Sequence, residues 1–90
     1  MLNKFKFWIS KNTNYSYVYH KNDLSESIVI DFENDIYIAR FTVWDDLSCM
    51  SEIINLNTDQ YKINKREEFT SLDELLSIFR IFSDYLNIKN

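Results

Sequence analysis

Not one of the ninety residues is a glycine or a proline, and this absence constrains the chain more than any other feature. Without glycine, no residue takes up left-handed backbone at no steric cost; without proline, none presets a turn. Turns then fall to Asn, Asp and Ser, whose short polar side chains bond to nearby backbone and tolerate unusual dihedral angles. They cluster at Asn22-Asp23, Asn34-Asp35, Asp45-Asp46 and Asn57-Thr58-Asp59. The same absence excludes the Walker loop and the dinucleotide fingerprint, both of which need glycine where backbone approaches phosphate. It also argues against linkers and low-complexity tracts, and no internal repeat is present. Residues 1–90 read as one domain.

Between the turns lie runs of strand length rich in β-branched and aromatic residues: 15–20, 27–33, 36–44, 49–56 and 60–69. Leu2, Phe5, Trp8 and Ile9 recur at helical spacing, which predicts a short amphipathic helix over the first dozen residues. Ser71-Leu72-Asp73-Glu74 reads as a capping box in which Ser71 and Glu74 satisfy each other's amides. Leu72, Leu75, Leu76, Phe79, Phe82 and Leu86 follow as the buried stripe of a second helix. The expected fold is α+β: an N-terminal helix, an antiparallel meander of four to five strands and a C-terminal helix, both helices on one sheet face.

A two-residue turn at Asn34-Asp35 pairs Phe32 with Tyr37, Ile30 with Ala39 and Ile28 with Phe41. A turn centred near Leu47 pairs Phe41 with Ile53, Val43 with Ser51, Thr42 with Glu52 and Trp44 with Met50. The expected core contains Ile28, Ile30, Phe32, Phe41, Val43, Ile53, Leu72, Leu75, Leu76 and Phe79. The opposite, open face presents Val29, Asp31, Glu33, Ile38, Arg40, Thr42, Trp44, Met50, Glu52 and Ile54.

A chain this short buries only roughly 60% of its unfolded surface, which leaves little room for a deep cleft and puts function on the surface. One cysteine, Cys49, and one histidine, His20, permit neither an internal disulfide nor a Cys/His metal cluster, and fit a reducing cytoplasm. Lys4 and Lys6 interrupt the apolar residues after Met1, so no signal peptide is read, and no apolar run approaches the ~20 residues that span a bilayer. Charge is uneven. Residues 1–22 carry four lysines and no acid, whereas residues 23–59 carry nine acids against Arg40 alone, a net −8. Such a field repels phosphate backbones and attracts basic partners, which argues against direct nucleic-acid binding.

No catalytic constellation assembles. His20 near Asp23 has no nucleophile of matched spacing, and a surface histidine on an edge strand is the simpler reading. Asp31 with Glu33, or Asp45-Asp46 with Glu52, lack a second ligand set at metal spacing and read as solvated or turn-forming carboxylates. Cys49 has no base or basic neighbour in sequence and reads as an inert buried thiol. Tyr15, Tyr17 and Tyr19 alternate like base-stacking platforms, but without interleaved basic residues they read as packing. Trp44 falls opposite the core beside acidic residues, as an interface anchor does.

The strands Ser27-Ile28-Val29-Ile30-Asp31-Phe32-Glu33, Arg40-Phe41-Thr42-Val43-Trp44 and Cys49-Met50-Ser51-Glu52-Ile53-Ile54 carry the patterns S-I-x-I-D-x-E, R-x-T-V-W and C-x-x-E-I-I. With a helix before them and Ser71-Leu72-Asp73-Glu74-Leu75-Leu76 after them, the chain resembles the small immunity proteins of contact-dependent growth inhibition and related polymorphic toxin systems, of the TriTu type, over most of residues 5–86. The resemblance implies a non-enzymatic cytoplasmic antidote that binds the C-terminal domain of one cognate toxin, commonly a nuclease, and blocks its active site. It implies no cofactor, metal or small-molecule substrate.

On this reading Asp31, Glu33, Trp44, Asp45, Asp46 and Glu52 are the candidate partner contacts: four on the open face and two aspartates at its rim. The competing readings are a non-catalytic adaptor or homo-oligomeric subunit using the same face, and a small carboxylate-dependent hydrolase. An immunity gene lies beside a toxin gene, which separates the first reading from the second. The hydrolase needs a cleft bearing Asp31, Asp45 or Glu52 with raised pKa values.

Overall fold

The computed structural model describes residues 1–86. The chain runs α1 (Leu2–Asn12), β1 (Val18–Lys21), β2 (Glu26–Glu33), β3 (Tyr37–Trp44), β4 (Ser48–Asn55), β5 (Gln60–Glu68) and α2 (Leu72–Leu86). The strands form one antiparallel sheet in the order β1-β2-β3-β4-β5. Both helices lie on the face that carries Ile28, Ile30, Phe41, Val43 and Ile53, and the expected α+β meander is the observed one.

In α1 the three- and four-residue spacing of Leu2, Phe5 and Ile9 buries one stripe. Lacking a C-terminal glycine, α1 closes with side chains: Thr13 Oγ1 donates to the Ile9 carbonyl at 2.8 Å and Asn12 Nδ2 to the Trp8 carbonyl at 3.0 Å. In α2, Ser71 Oγ accepts from the Glu74 amide at 3.1 Å, as expected. The reciprocal arm differs: the Glu74 carboxylate takes the Thr70 amide (2.6 Å) and hydroxyl (2.9 Å) rather than the Ser71 amide. Those two bonds, to the amide first, hold the Glu74 carboxyl below its ordinary pKa.

Three of the four hairpins close through asparagine side chains. Asn22 Oδ1 accepts from the amides of Leu24 and Ser25, Asn34 Oδ1 from Ile36 and Tyr37, and Asn55 Oδ1 from Asn57 and Thr58. Among the described residues two take left-handed backbone, Leu47 (φ 66°) and Asp59 (φ 58°).

Register departs from expectation by two residues in both central hairpins. Phe32 pairs with Ala39, Ile30 with Phe41 and Ile28 with Val43. Phe41 pairs with Ser51, Val43 with Cys49, Thr42 with Met50 and Trp44 with Ser48. The cause is turn chemistry: Asn34 is the first residue of its turn and not a central one, with its amide donating to the Tyr37 carbonyl at 2.9 Å. In the next hairpin the loop is Asp45-Asp46-Leu47. A slip of two preserves side-chain direction, so no residue changes face. Expected core residues are buried, except Phe32 and Leu72, which pack at its margin, and Phe41 is fully buried.

The first strand begins three residues later than expected, at Val18. Tyr15 leaves the sheet plane and wedges between Phe32 (5.9 Å between ring centroids) and Phe79 (5.6 Å). Phe41 meets Phe79 edge-on at 5.1 Å, and Phe5 meets Phe79 at 5.8 Å, so Phe79 joins both helices to the sheet.

Candidate functional site: the uncovered sheet face

Alternation along the strands puts every second side chain on the face that the helices leave open. Cross-strand pairing orders these side chains in transverse rows. Ser27, Trp44, Ser48 and Glu68 form one; Val29, Thr42, Met50 and Arg66 the next; then Asp31, Arg40, Glu52 and Asn64; and last Glu33, Ile38, Ile54 and Tyr61.

Of the expected contacts, Asp31, Glu33 and Glu52 stand at one end of this face and Trp44 at the other, with Asp45 and Asp46 in the turn beyond it. Trp44 and Arg40 are four residues apart on one strand, about 13 Å. The six residues therefore make two groups.

At the Trp44 end the groups are already partnered. The Arg66 guanidinium lies over the Trp44 ring, 4.8 Å from its centroid. Arg66 Nη2 also donates to Ser48 Oγ at 2.9 Å and stands 3.8 Å from the Asp46 carboxylate, while Ser48 donates to Asp46. Asp45 Oδ2 accepts from the Glu26 amide at 3.0 Å, and the Asp45 amide donates to the Glu26 carbonyl at 3.0 Å, which extends the β2–β3 ladder.

At the other end Arg40 Nε donates to Asp31 Oδ1 at 2.8 Å and Arg40 Nη2 to Oδ2 at 3.4 Å. That hydrogen bond and the Asp31 charge, with Glu52 adding to them, raise the Arg40 pKa. Both side chains are more than half exposed, so the pair contributes little to stability, at most about 1 kcal/mol. Glu33 and Glu52 form no ion pair among the described residues. Ile38 (44% exposed) and Tyr61 (51%) lie beside them in the last row.

The contribution of β5 was not legible in the linear charge pattern. The −8 of residues 23–59 counts Arg40 but not Arg66, which the fold sets against Trp44. On β2 to β5 the open face carries Asp31, Glu33, Glu52 and Glu68 against Arg40 and Arg66, a net −2, and −4 with the rim aspartates. A β-bulge between Ile53 and Ile54, where Lys62 is the extra residue, sets β5's place, and no hydrophobic alternation in 60–68 announces it.

Elsewhere, His20 is exposed on the short edge strand β1. Cys49 is buried, and burial pushes its thiol up to about 11. Among the described residues no three His, Cys, Asp or Glu side chains converge as a metal site, and no helix is long and apolar enough to cross a membrane.

A search of curated proteins finds no match to the sequence. The sequence model of the immunity protein TriTu matches residues 3–85, from the first turn of α1 to the last of α2. The match takes in helix, five-stranded meander and helix but for one residue at each end, and the chain belongs to the TriTu immunity protein family.

Proposed function

We propose that the protein neutralises one cognate toxin by laying the uncovered face of its sheet over the toxin's active or substrate-binding surface. In this reading the toxin is a basic nuclease forming the C-terminal domain of a contact-dependent inhibition system, and the antidote acts in the cytoplasm without chemistry of its own. Asp31, Glu33, Trp44, Asp45, Asp46 and Glu52 are the contact set.

The observation that supports it is an acidic sheet face with no helix over it, bearing two carboxylates, Glu33 and Glu52, that lack an ion-pair partner among the described residues. A nuclease holds phosphate with positive potential, and an acidic protein competes for that surface by charge complementarity. The two longest dimensions of the molecule, 38 and 25 Å, suffice for a standard interface of about 800 Å² per partner.

The test uses the toxin domain encoded beside the gene. Wild-type protein is expected to abolish its activity at one-to-one stoichiometry. Glu33→Lys and Glu52→Lys should each slow association about tenfold at low salt and flatten its salt dependence, with little change in dissociation. Association of both variants at the wild-type rate would remove the acidic face from the interface.

A further inference from the structure

A depression of about 600 Å³ opens at the β2 edge toward the helices, between the α1–β1 connection, Phe32 and Ser83 of α2. Two others adjoin on the open face, one of about 340 Å³ over β2 and β3 and one of about 200 Å³ reaching across β3 to β5. Asp31, Ile38 and Ala39 line both of these. Together they make one groove that crosses the strands at the Asp31 end of the sheet. Its far part has an apolar floor of Ile38, Ile54 and Tyr61 with Arg40 and Glu52 at the side.

We propose that this transverse groove, and not the Trp44 corner, anchors the toxin, through a segment that seats a large apolar side chain against Ile38, Ile54 and Tyr61 and sets a basic side chain beside Glu33 or Glu52. The inference rests on the toxin-neutralising reading above. Charge selects the occupant: Asp31, Glu33 and Glu52 surround the groove against Arg40 alone, and Arg40 is already held by Asp31 at 2.8 Å. A basic segment thus finds two carboxylates, Glu33 and Glu52, without an ion-pair partner among the described residues. The apolar floor is exposed, with Ile38 at 44% and Tyr61 at 51%, whereas the Trp44 ring face is occupied by Arg66. Energetic anchors of interfaces are apolar or aromatic groups that become desolvated on binding, ringed by polar groups that set orientation.

The experiment measures dissociation of the purified toxin domain encoded beside the gene from wild type, Ile38→Ala, Tyr61→Ala and Trp44→Ala, each checked for an unchanged thermal midpoint. Ile38→Ala and Tyr61→Ala are expected to speed dissociation about thirtyfold, and Trp44→Ala less than about threefold. Hydrogen exchange on the wild-type complex needs no variant and should show new protection centred on residues 31–33 and 36–40. Loss of binding in Trp44→Ala alone would overturn the groove and leave the open-face reading standing. Wild-type kinetics in all variants, with protection on the helices, would overturn both.

Discussion

At the residue scale, side chains on the acidic hairpin have distinct tasks. Asp45 holds the Glu26 amide and Asp46 holds Ser48 and Arg66, so reversing either charge disturbs the rim as well as any partner. Glu33 and Glu52 carry no such duty, and their substitution is the cleaner probe. Cys49 illustrates burial acting on one group. Its thiol ionises near 9.0 in the unfolded chain and near 11 in the fold, because burial penalises the thiolate. The folded pKa is the higher one, so stability is fully present below pH 9 and falls between pH 9 and 11 as the unfolded chain gives up its proton first. The stability gap between wild type and Cys49→Ala, measured by urea midpoints, should be constant below pH 9 and narrow above it. A gap that stayed constant would show that the thiol is not desolvated. Below pH 9 the thiol should react with alkylating reagent only as fast as the protein unfolds.

At the element scale, the absence of glycine is met by asparagine carbonyls at Asn22, Asn34 and Asn55, and in one place by strain. Leu47 holds φ at 66°, a region that costs a residue with a Cβ about 1–2 kcal/mol, and its carbonyl accepts from the Phe69 amide at 3.0 Å. Leu47→Asn should therefore raise stability by about 0.5–1 kcal/mol, since asparagine tolerates this backbone and the leucine side chain is 38% exposed. A thermal melt of the variant checks it, and a lower midpoint would mean that Leu47 contributes packing that outweighs the strain. The same turns explain the two-residue register error. Alternation in 27–33 and 36–44 assigns each side chain a face, but pairings two residues apart satisfy it equally. The bonds of Asn34 to Ile36 and Tyr37, with those of Asp45 to Glu26 at the other end of the pair, choose between them.

At the scale of the whole molecule, one aromatic cluster ties both helices to the sheet and leaves the opposite face without a helix among the described residues. Phe79 packs against Phe5 of α1 and Phe41 of β3, and Phe41 packs against Phe82 at 5.1 Å. Truncating Phe41 or Phe79 to alanine should cost about 3–5 kcal/mol, from lost transfer energy and the cavity left behind. That is a large share of the 5–15 kcal/mol, roughly, that a domain has in total. Urea unfolding should show a lower midpoint at an unchanged slope. A loss below about 1 kcal/mol would mean that the helices are not held through this cluster.

Local pattern determined the elements, the faces and the core, because helical spacing and strand alternation are properties of neighbouring residues that burial then enforces. Leu75, Leu76 and Phe79 are buried where their spacing places them, and Asp31, Glu33, Trp44 and Glu52 share the uncovered face that alternation assigns them. Which of those side chains remain available to a partner is a tertiary matter. Arg66 reaches Trp44 from 22 positions away, through a strand whose place depends on a bulge, and Tyr61 completes an apolar floor with Ile38 through β4 between them. Charge counted along the chain cannot register such encounters, because the Coulomb energy of a pair depends on its separation in space and on the solvent between the charges.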